Sequence, residues 1–470
     1  MFFKAFFTNS AGILTSRILG FFRDLLTATT LGAGIYSDMF FVAFKLPNLF
    51  RRVFGEGAFN QAFLPSFIHA KYKGGFALKI LLIFSLILTL ISLFVVFFSE
   101  YITKLLAFGF SNELIKLTAP LVVINFWYLL LVFIVTFLGA ILQFKRNFTA
   151  WAFSPALLNV AMILALLYAK DKESYQMVLI LSYGVLLGGV AQILLHFFPF
   201  KRLGFLKLLG AGFFELKAKK DSINASVKSF SKQFFPAMLG SSTAQIASFI
   251  DTLLASFLAS GAISYLYYAN RIFQLPLAVF AIAVSTALFP LVAKYIKEKN
   301  ESLALRELTR SFWILFFLLG ACVIGGIMLK NEVIWLLFEH GEFTRENTYK
   351  VASVFSAYML GLLPFGLARI FSLWLYSEQK QGLAAKISAF SLIVGVIFSV
   401  ILMQFLEEVG LAIAGSISGF VLFFATIYYF GIQKFLKILN KPKWILIILA
   451  SFIAEAVILW IFRSYIFSIS

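Results

Sequence analysis

The stretch SRILGFFRDLLTATTLGAG, residues 16–34, runs on to FKLPNLFRRVFGEGAFNQAFLP, residues 44–65, and this region decides how the whole chain is interpreted. The region is apolar enough to lie in a bilayer, yet it carries four arginines, one lysine and three carboxylates. An arginine near the centre of a membrane helix costs about 2.5–3.5 kcal/mol on insertion scales, so four of them facing lipid would be prohibitive. These side chains therefore require a water-filled cavity, an anionic ligand, or both.

The composition predicts an all-α, polytopic membrane protein. Of 470 residues, 61% are apolar and only 13% are charged, whereas a soluble domain carries about 25% charged residues. Apolar runs of roughly 20 residues recur, which is the length that crosses a bilayer as a helix. The 60 phenylalanines are interpreted as bulk that faces lipid. The single cysteine, Cys322, excludes an intrachain disulfide.

The apolar periodicity predicts about thirteen membrane helices. The first follows MFFKAFF directly, so no cleavable signal peptide is expected. The helices are expected near 4–31, 36–70 (broken), 77–99, 117–142, 149–169, 176–198, 232–259, 263–296, 309–338, 348–376, 382–406, 409–437 and 442–467.

Lysine and arginine are concentrated in every second loop, and the loops between are neutral or acidic. By the positive-inside rule this pattern places the N-terminus in the cytoplasm, and an odd number of helices places the C-terminus outside. The formal net charge of +19 is therefore attributed to topology and to contact with lipid headgroups rather than to nucleic acid.

The segment from Pro199 to Lys232 is interpreted as the longest polar loop, and it divides the chain into two related halves. SDMFFVAFKLP at Ser37 is similar to SYLYYANRIFQLP at Ser264. Duplicated bundles with charged, broken helices are typical of transporters. The predicted domains are an N-lobe of helices 1–6 (1–200), a basic cytoplasmic linker (201–231), a C-lobe of helices 7–12 (232–440) and an additional C-terminal membrane helix (441–470).

The first helix carries one polar stripe. On a straight helix its polar residues fall within an arc of roughly 120°, which leaves the remaining surface compatible with lipid. The stripe includes Ser16, Arg17, Arg23 and Asp24.

The second helix carries a matching stripe, with spacings of seven, seven and four residues. Pro47 is expected to kink this helix, and Gly55 and Gly57 offer further breaks. Both stripes are predicted to face one cavity, to which the second half adds Arg271. The second stripe consists of Asp38, Lys45, Arg52 and Glu56, with Arg51 beside it.

Ion pairs within the protein are an equally good explanation for any one of these charges. Asp24 could neutralise Arg17 or Arg23. Asp38 could likewise neutralise Lys45. The sequence leaves these alternatives open.

Pairing cannot explain the whole set, because six cations face three carboxylates. Arg51 and Arg52 could lie at the cytoplasmic membrane surface, which would remove those two from the count. A surplus of guanidinium groups in a closed space favours a bidentate anion, and phosphate or pyrophosphate fits best. The stripes therefore predict an anion-binding cavity.

Two further polar residues lie in apolar helices. Asp251, near Ser248 and Thr252, could be a cation or proton site that drives transport, or a hydrogen-bonded polar spot. Asn159 could reach the central space, or it could join two helices by hydrogen bonds.

SRILGFFRD (16–24) and SDMFFVAFKLPNLFRRVFGEGAFNQAFLP (37–65) together resemble the N-terminal signature of the MurJ/MviN family of lipid II flippases. SPALLN (154–159), YYANR (267–271) and LFEHGEFT (337–344) resemble later segments of that family. The resemblance implies the fold of the MOP exporter superfamily, with two six-helix lobes in a V shape. The family has two further C-terminal helices, and only one is evident here.

The resemblance also implies residue roles. Asp251 is similar in position to a sodium ligand of some members. Asn270 and Gln274 stand where some members have acidic residues. The implied cavity arginines are Arg17, Arg23, Arg51 and Arg271, the neighbouring polar residues are Ser16, Asp24, Asp38 and Asn159, and the implied gate is Glu56 with Gly55 and Gly57; Arg52 completes the predicted substrate-binding set.

The resulting hypothesis is a bacterial inner-membrane flippase, not an enzyme, that moves lipid II outward by alternating access. It needs no cofactor, and sodium or the membrane potential would drive it. Lipid II, membrane lipids and cell-wall synthesis or division proteins are the expected partners. A flippase for another isoprenoid-linked oligosaccharide, of the O-antigen type, is the alternative. A drug–cation antiporter would need a carboxylate-rich cavity, and a membrane glycosyltransferase would need a large polar domain or clustered loop acids.

Overall fold

The structure is a computed structural model that describes the backbone of residues 2–55 and 58–467. Side chains are described within these ranges except at residues 2–7, 9, 10, 52–55, 239–245, 247, 466 and 467. Almost every described residue is helical, and none lies in a β-strand. The predicted all-α class is therefore confirmed.

The chain forms two compact units, Met1–Gly261 and Ala262–Ser470. The first contains α1 Phe2–Leu31, α2 Ile35–Gly55, α3 Ala58–His69, α4 Lys73–Phe97, α5 Ser99–Leu106, α6 Asn112–Phe144, α7 Thr149–Ala169, α8 Ser174–Arg202, α9 Phe205–Ala218 and α10 Lys220–Ala255. The second contains α11 Ala262–Pro276, a π-helical turn Leu277–Ile282, α12 Ala283–Lys297, α13 Glu301–Met328, α14 Lys330–Phe338, α15 Arg345–Met359, α16 Leu362–Ser377, α17 Gln381–Phe430, α18 Ile432–Leu439 and α19 Pro442–Phe467.

Within the described residues, nine helical segments are long and apolar enough to cross a membrane. Length and composition of this kind define a multi-pass membrane protein. The segments are 73–97, 112–144, 149–169, 174–202, 262–297, 301–328, 345–377, 381–430 and 442–465.

The predicted helices coincide with observed ones, and several are subdivided. The helix predicted at 149–169 has the bounds of α7. The gap predicted between 406 and 409 is a backbone break at Glu407, with φ 49° and ψ −130°, inside α17. The short helix α5 was not predicted. The predicted C-terminal membrane helix is α19, whose Arg463 Nε lies 2.8 Å from Glu332 Oε1 on α14.

Many phenylalanines of the first unit form a buried cluster between α3, α4, α6 and α10. Phe59 lies 5.6 Å from Phe133 and 5.8 Å from Phe230, measured between ring centroids. Phe230 in turn lies 6.3 Å from Phe63 and 5.4 Å from Phe234. None of these five rings is more than 2% exposed. The interpretation of phenylalanine as lipid-facing bulk is wrong for this cluster, where the rings bury the start of α10.

This packing groups α10 with the first unit, so the unit boundary at Gly261 lies one helix later than the predicted lobe boundary at 232. The reason is tertiary, since the aromatic residues of α10 contact α3 and α4. The predicted division of the chain into lobes 1–200 and 232–440 stays a prediction.

The segment from Pro199 to Lys232, predicted as a polar loop, is instead helical almost throughout. It contains the end of α8, all of α9 and the start of α10. Gly212 of α9 packs so closely on Gly74 of α4 that a β-carbon at either position would meet the other backbone. The prediction of a loop was based on the many basic residues of this segment. The contacts of α9 with α4, which stabilise the helix, are not visible in the local sequence.

A carboxylate from α9 caps the N-terminus of α4. The first N–H groups of a helix have no partner within it, and Tyr72 at the cap position supplies none. Glu215 Oε2 accepts a hydrogen bond from Gly75 N at 2.6 Å. A negative charge at a helix N-terminus is also favoured by the helix dipole. Glu215 therefore fixes α9 on α4.

Replacing Glu215 by Ala should lower the free energy of unfolding by about 1–2 kcal/mol, because the cap is lost. Glu215→Gln, which keeps an acceptor, should lose less. Thermal unfolding of the purified protein in detergent measures both. Glu298→Ala is the matched control, because the Glu298 side chain makes only an exposed pair at 4.0 Å with Lys294 among the described residues. An equal effect of the Glu215 and Glu298 variants would contradict this role.

Three helices end in the same turn, in which a residue other than glycine adopts a left-handed conformation. These residues are Arg146 after α6, Lys299 after α12 and Gln379 after α16, with φ of 58°, 55° and 59°. The N–H of the next residue binds the carbonyl five residues back, at 2.8–3.0 Å in all three turns. Glycine usually occupies this position, and an L side chain there costs about 1–2 kcal/mol. In two of the three turns the residue in the left-handed conformation is a cation, Arg146 or Lys299.

A charge network at the end of α16 holds α18. Lys434 Nζ lies 2.7 Å from Glu301 Oε1 and 4.7 Å from the centroid of the Trp374 ring. The Trp374 indole donates to Glu378 at 2.8 Å. Partial burial acts to raise the pKa of Glu378, but hydrogen bonds from Lys380 and Trp374 hold that pKa below its ordinary value. These contacts tie α13, α16 and α18 together in the second unit.

Candidate functional site

Arg23 and Asp24 form a buried ion pair on α1. Arg23 Nη2 lies 2.6 Å and Nε 3.1 Å from Asp24 Oδ1. Only 7% of Arg23 and 1% of Asp24 is exposed. Adjacent residues do not face each other on a helix, so the long arginine side chain folds back to reach its neighbour. The sequence left open which arginine Asp24 neutralises, and the structure pairs it with Arg23.

Asn159 joins this pair to α7. Arg23 Nη1 donates to Asn159 Oδ1 at 3.1 Å and lies 3.7 Å from Met162 Sδ. Asn159 Nδ2 donates to the backbone oxygen of Ser16 at 3.1 Å. One amide therefore holds two points of the polar stripe, nearly two turns apart, against α7. Asn159 therefore joins two helices and contacts the polar stripe, whereas its access to the central space stays a prediction.

Met162 was not predicted as part of this site. Its sulfur lies one helical turn after Asn159, on the same face of α7. Spacing of three residues from a polar helix residue is the signal that could have identified it.

Arg17 differs from Arg23 in its exposure and in its lack of an ionic partner among the described residues. Its side chain is exposed, and it has no hydrogen-bond or ionic partner among the residues that the structure describes. Asp24, the nearest carboxylate in sequence, binds Arg23. A guanidinium group that no carboxylate compensates can bind a phosphate through two parallel hydrogen bonds.

Asp38 fixes the end of the first unit. Its Oδ2 accepts a hydrogen bond from Gly261 N at 2.7 Å, and only 3% of Asp38 is exposed. Gly261 has φ of 97°, a conformation that favours glycine. This contact connects the start of α2 with the segment after α10, and the local sequence gave no indication of it.

Lys45 joins α2 to α10. Lys45 Nζ donates to Ser248 Oγ at 2.8 Å, and the Thr252 hydroxyl donates to the Ser248 backbone oxygen at 3.1 Å. Asp251 lies one turn after Ser248 and is subject to the charge of Lys45. The carboxylate predicted to bind sodium therefore has a cation of the protein in its surroundings. No group of three or more His, Cys, Asp or Glu side chains that could hold a metal occurs within the described part of the chain.

Lys45 belongs to the predicted second stripe and Ser248 was noted beside Asp251, but the contact between them was not predicted. The signal was the spacing of Ser248 and Asp251, which puts both on one face of α10. What the sequence could not provide is the pairing of that face with α2.

Arg51 is half-buried near the end of α2. Its Nε and Nη2 lie 3.3 and 3.2 Å from Asn48 Oδ1, one turn earlier. Its charge also acts on the buried Tyr128 of α6. Arg51 is therefore hydrogen-bonded to its own helix, and its position relative to the membrane surface stays a prediction.

The predicted gate cannot be placed. Glu56 and Gly57 lie outside the described residues, and so does the side chain of Arg52. Gly55 is described only as the last residue of α2. The roles predicted for these four residues stay predictions.

In the second unit, Arg271 lies on α11, is half-buried and takes part in interactions with other residues. The neighbouring amides of Gln274 and Asn270 are hydrogen-bonded to each other. On the same helix the Tyr268 ring lies 5.1 Å from Phe338 and 5.7 Å from Phe343, between ring centroids. The motif segments 267–271 and 337–344 therefore meet in space. Convergence of Arg271 with the arginines of the first unit stays a prediction.

The sequence model of the family described as "Lipid II flippase MurJ" matches residues 27–468 of the chain. The chain belongs to the MurJ family. It is 54% identical over 449 residues to a "Probable lipid II flippase MurJ" of Helicobacter pylori (strain ATCC 700392 / 26695), covering 94% of this chain and 97% of the relative. A relative of the same description from Buchnera aphidicola subsp. Baizongia pistaciae is 32% identical over 466 residues, covering 97% and 88%.

Comparison with solved structures agrees with the match to the MurJ family. One described as "Lipid II flippase MurJ, inward closed conformation" matches with a TM-score of 0.79 and 26% identity over 98% of both chains. An inward-facing MATE family transporter of the MOP superfamily matches with a TM-score of 0.69 at 16% identity, covering 91% of this chain and 95% of that one, which shows the fold alone. The resemblance to the MurJ family and its MOP-type fold are confirmed, and a family of flippases is a family of transporters, not enzymes.

Within this MurJ-family site, Asn159→Ala should lower the free energy of unfolding by about 1–3 kcal/mol, because it leaves a buried guanidinium N–H and the Ser16 carbonyl without their partner. Thermal unfolding in detergent measures the change. Thr149→Ala, at an exposed position in the first turn of α7, is the control and should have almost no effect. Equal unfolding midpoints for the two variants would exclude this linking role.

Proposed function

We propose that this chain is a lipid II flippase, which moves the undecaprenyl-pyrophosphate-linked peptidoglycan precursor from the cytoplasmic to the outer leaflet by alternating access. The observation that carries the proposal is the family match over residues 27–468. The 54% identity to a relative described as a probable lipid II flippase supports it. The comparisons do not favour the alternative, a flippase for another isoprenoid-linked oligosaccharide.

The charges of the first unit suit a diphosphate. Asp24 is bound to Arg23, Asp38 accepts from a backbone N–H, and the exposed Arg17 has no partner among the described residues. An anion can therefore bind Arg17 without displacing a carboxylate of the protein. Most of the Arg23 donors are engaged, so a diphosphate would reach Arg23 by displacing Asp24. A phosphate oxygen can replace a carboxylate oxygen as an acceptor with little loss.

The proposed cycle begins when the diphosphate docks on Arg17, Arg23 and Arg51, with Arg271 completing the site. When the anion leaves, the ion pair between Asp24 and Arg23 forms again, so the empty carrier does not bury an unpaired charge. The isoprenoid tail stays in the bilayer throughout. Membrane potential could reset the empty carrier, since one charge moved through 100 mV is worth about 2.3 kcal/mol. A sodium ion at Asp251 is the other proposed driver, and lipid II translocation in vesicles that is independent of sodium would exclude it.

Replacing Arg17 or Arg271 by Ala should abolish complementation in cells depleted of their own flippase, because each substitution removes a cation from the proposed diphosphate site. The measurement is growth, together with the amount of each variant in the membrane. Arg17 has no internal partner among the described residues, so Arg17→Ala should leave the unfolding midpoint unchanged.

Arg310→Ala provides the matched control, because Arg310 is an exposed arginine of α13 outside the polar stripes. This variant should complement as the parent does. Growth of the Arg17 and Arg271 variants at the parental rate would reject the site while leaving family membership intact.

We propose that the protein lies in the bacterial inner membrane with its N-terminus in the cytoplasm. Basic residues at the turns that follow α6 and α12 support this orientation, because cations near the ends of membrane helices are retained in the cytoplasm. Cell-wall synthesis or division proteins stay predicted partners.

The orientation can be tested with cysteines, because Cys322 is the only one in the sequence. In a Cys322→Ser background, Lys172→Cys after α7 should react with a membrane-impermeant maleimide in intact spheroplasts. Arg146→Cys before α7 should react only after the membrane is opened. The reverse labelling pattern would invert the proposed topology.

A further inference from the structure

A groove of about 680 Å³ lies at the basic end of α8. It is bounded by the turn between α6 and α7 and by the turn between α8 and α9, and both turns adjoin segments that can span a membrane. The groove therefore lies at the ends of segments long enough to cross a membrane, which is where lipid headgroups would meet the protein. Its lining residues are Asn147, Phe198, Pro199, Arg202 and Leu203.

Two polar side chains in this groove have no partner in the described part of the chain. The Arg202 guanidinium makes no hydrogen bond or ion pair with any described residue, and the same holds for the side-chain amide of Asn147. Arg202 supplies five N–H donors and Asn147 both a donor and an acceptor. Two hydrogen-bonding groups facing one groove can hold a small polar ligand between them.

The charge of the groove is positive on every element that forms it. The sequence contains no Asp or Glu between residues 114 and 170 or between 174 and 214. Four cations lie at the end of α8 and in the turn after α6, and one of them, Arg146, holds a left-handed conformation in which glycine would be less strained. The cations are Lys145, Arg146, Lys201 and Arg202.

The remaining wall of the groove is apolar and exposed. Phe198 is 69% exposed and Leu203 is 41% exposed. Side chains of this kind beside a cation fit a molecule with a charged head and a hydrocarbon tail, because the tail covers the apolar wall while the head meets the guanidinium.

We propose that this groove binds an anionic membrane phospholipid of the cytoplasmic leaflet. The phosphate of the lipid accepts two hydrogen bonds from Arg202, Asn147 binds a polar group of the same headgroup, and the first part of an acyl chain lies along Phe198 and Leu203. The site is distinct from the arginines of α1 and α2, so it concerns the lipid surroundings of the carrier and not its transported substrate.

The experiment is lipid binding to the purified full-length protein in detergent, measured by native mass spectrometry. Phosphatidylglycerol is compared with phosphatidylcholine on the parent protein, Arg202→Gln, Asn147→Ala and the control Lys172→Gln. Lys172 is an exposed cation at the opposite end of α7. Lipid II and inorganic phosphate are titrated in separate arms.

The parent should bind phosphatidylglycerol in preference to phosphatidylcholine. Arg202→Gln should weaken phosphatidylglycerol binding about tenfold and Asn147→Ala about threefold, because one removes a charge-assisted pair and the other a neutral hydrogen bond. Lys172→Gln should bind as the parent does, and lipid II binding should be unchanged in all variants.

Equal loss in the Arg202 and Lys172 variants would overturn the proposal, because general surface charge would then explain the binding. Inorganic phosphate that competes as well as the lipid would overturn the role of the apolar wall. Loss of lipid II binding alone, with phosphatidylglycerol binding unchanged, would reassign the groove to the substrate. None of these outcomes bears on the family match that carries the proposed function.

Discussion

A charge inside a membrane protein must be compensated where it lies, because lipid cannot solvate it. In the first unit this constraint is satisfied by contacts between helices. Arg23 and Asp24 compensate each other on α1, and Asn159 extends the pair to α7. Lys45 reaches Ser248 on α10, and Asp38 reaches the backbone at Gly261. The polar stripes that make this chain unusual for a membrane protein are thus also the contacts that hold α1 and α2 against α7 and α10.

The same constraint separates structural charges from available ones. A buried and paired group such as Arg23 contributes to a ligand only by giving up a partner, and the cost of that exchange must be recovered from the ligand. An exposed group such as Arg17 requires no exchange. A carrier benefits from having both kinds, since the first keeps the empty protein stable and the second attracts the anion. Binding that is too strong would hinder release, and in the proposed cycle the displacement of Asp24 by the substrate would limit the net affinity.

The sequence predicted the features that are determined by residues close to each other along the chain, such as the bounds of a helix. The period of the apolar residues located α7 to the residue, whereas the common orientation of the two polar stripes stays a prediction. The sequence could not decide between Arg17 and Arg23 as the partner of Asp24, because that choice depends on where α7 places Asn159. It likewise misassigned α9 and the buried phenylalanines, since both are determined by contacts between helices far apart in sequence. Arg17, Arg23 and Arg51 belong to the same polar pattern but differ in burial, and burial is a tertiary property.

The backbone conformation of the turns at Arg146 and Lys299 also depends on surroundings beyond the local sequence. A glycine would end α6 or α12 with less strain, yet a cation occupies the left-handed position in each. The strain of about 1–2 kcal/mol per turn is comparable to the interaction of a cation with an anionic membrane surface, about 1 kcal/mol per residue. In the proposed orientation, which places both turns at the cytoplasmic surface, a side chain that makes the turn less stable can therefore be nearly neutral for the protein in its membrane. The stability of such turns is a joint property of the chain and the lipid, and detergent should expose the strain that the bilayer offsets.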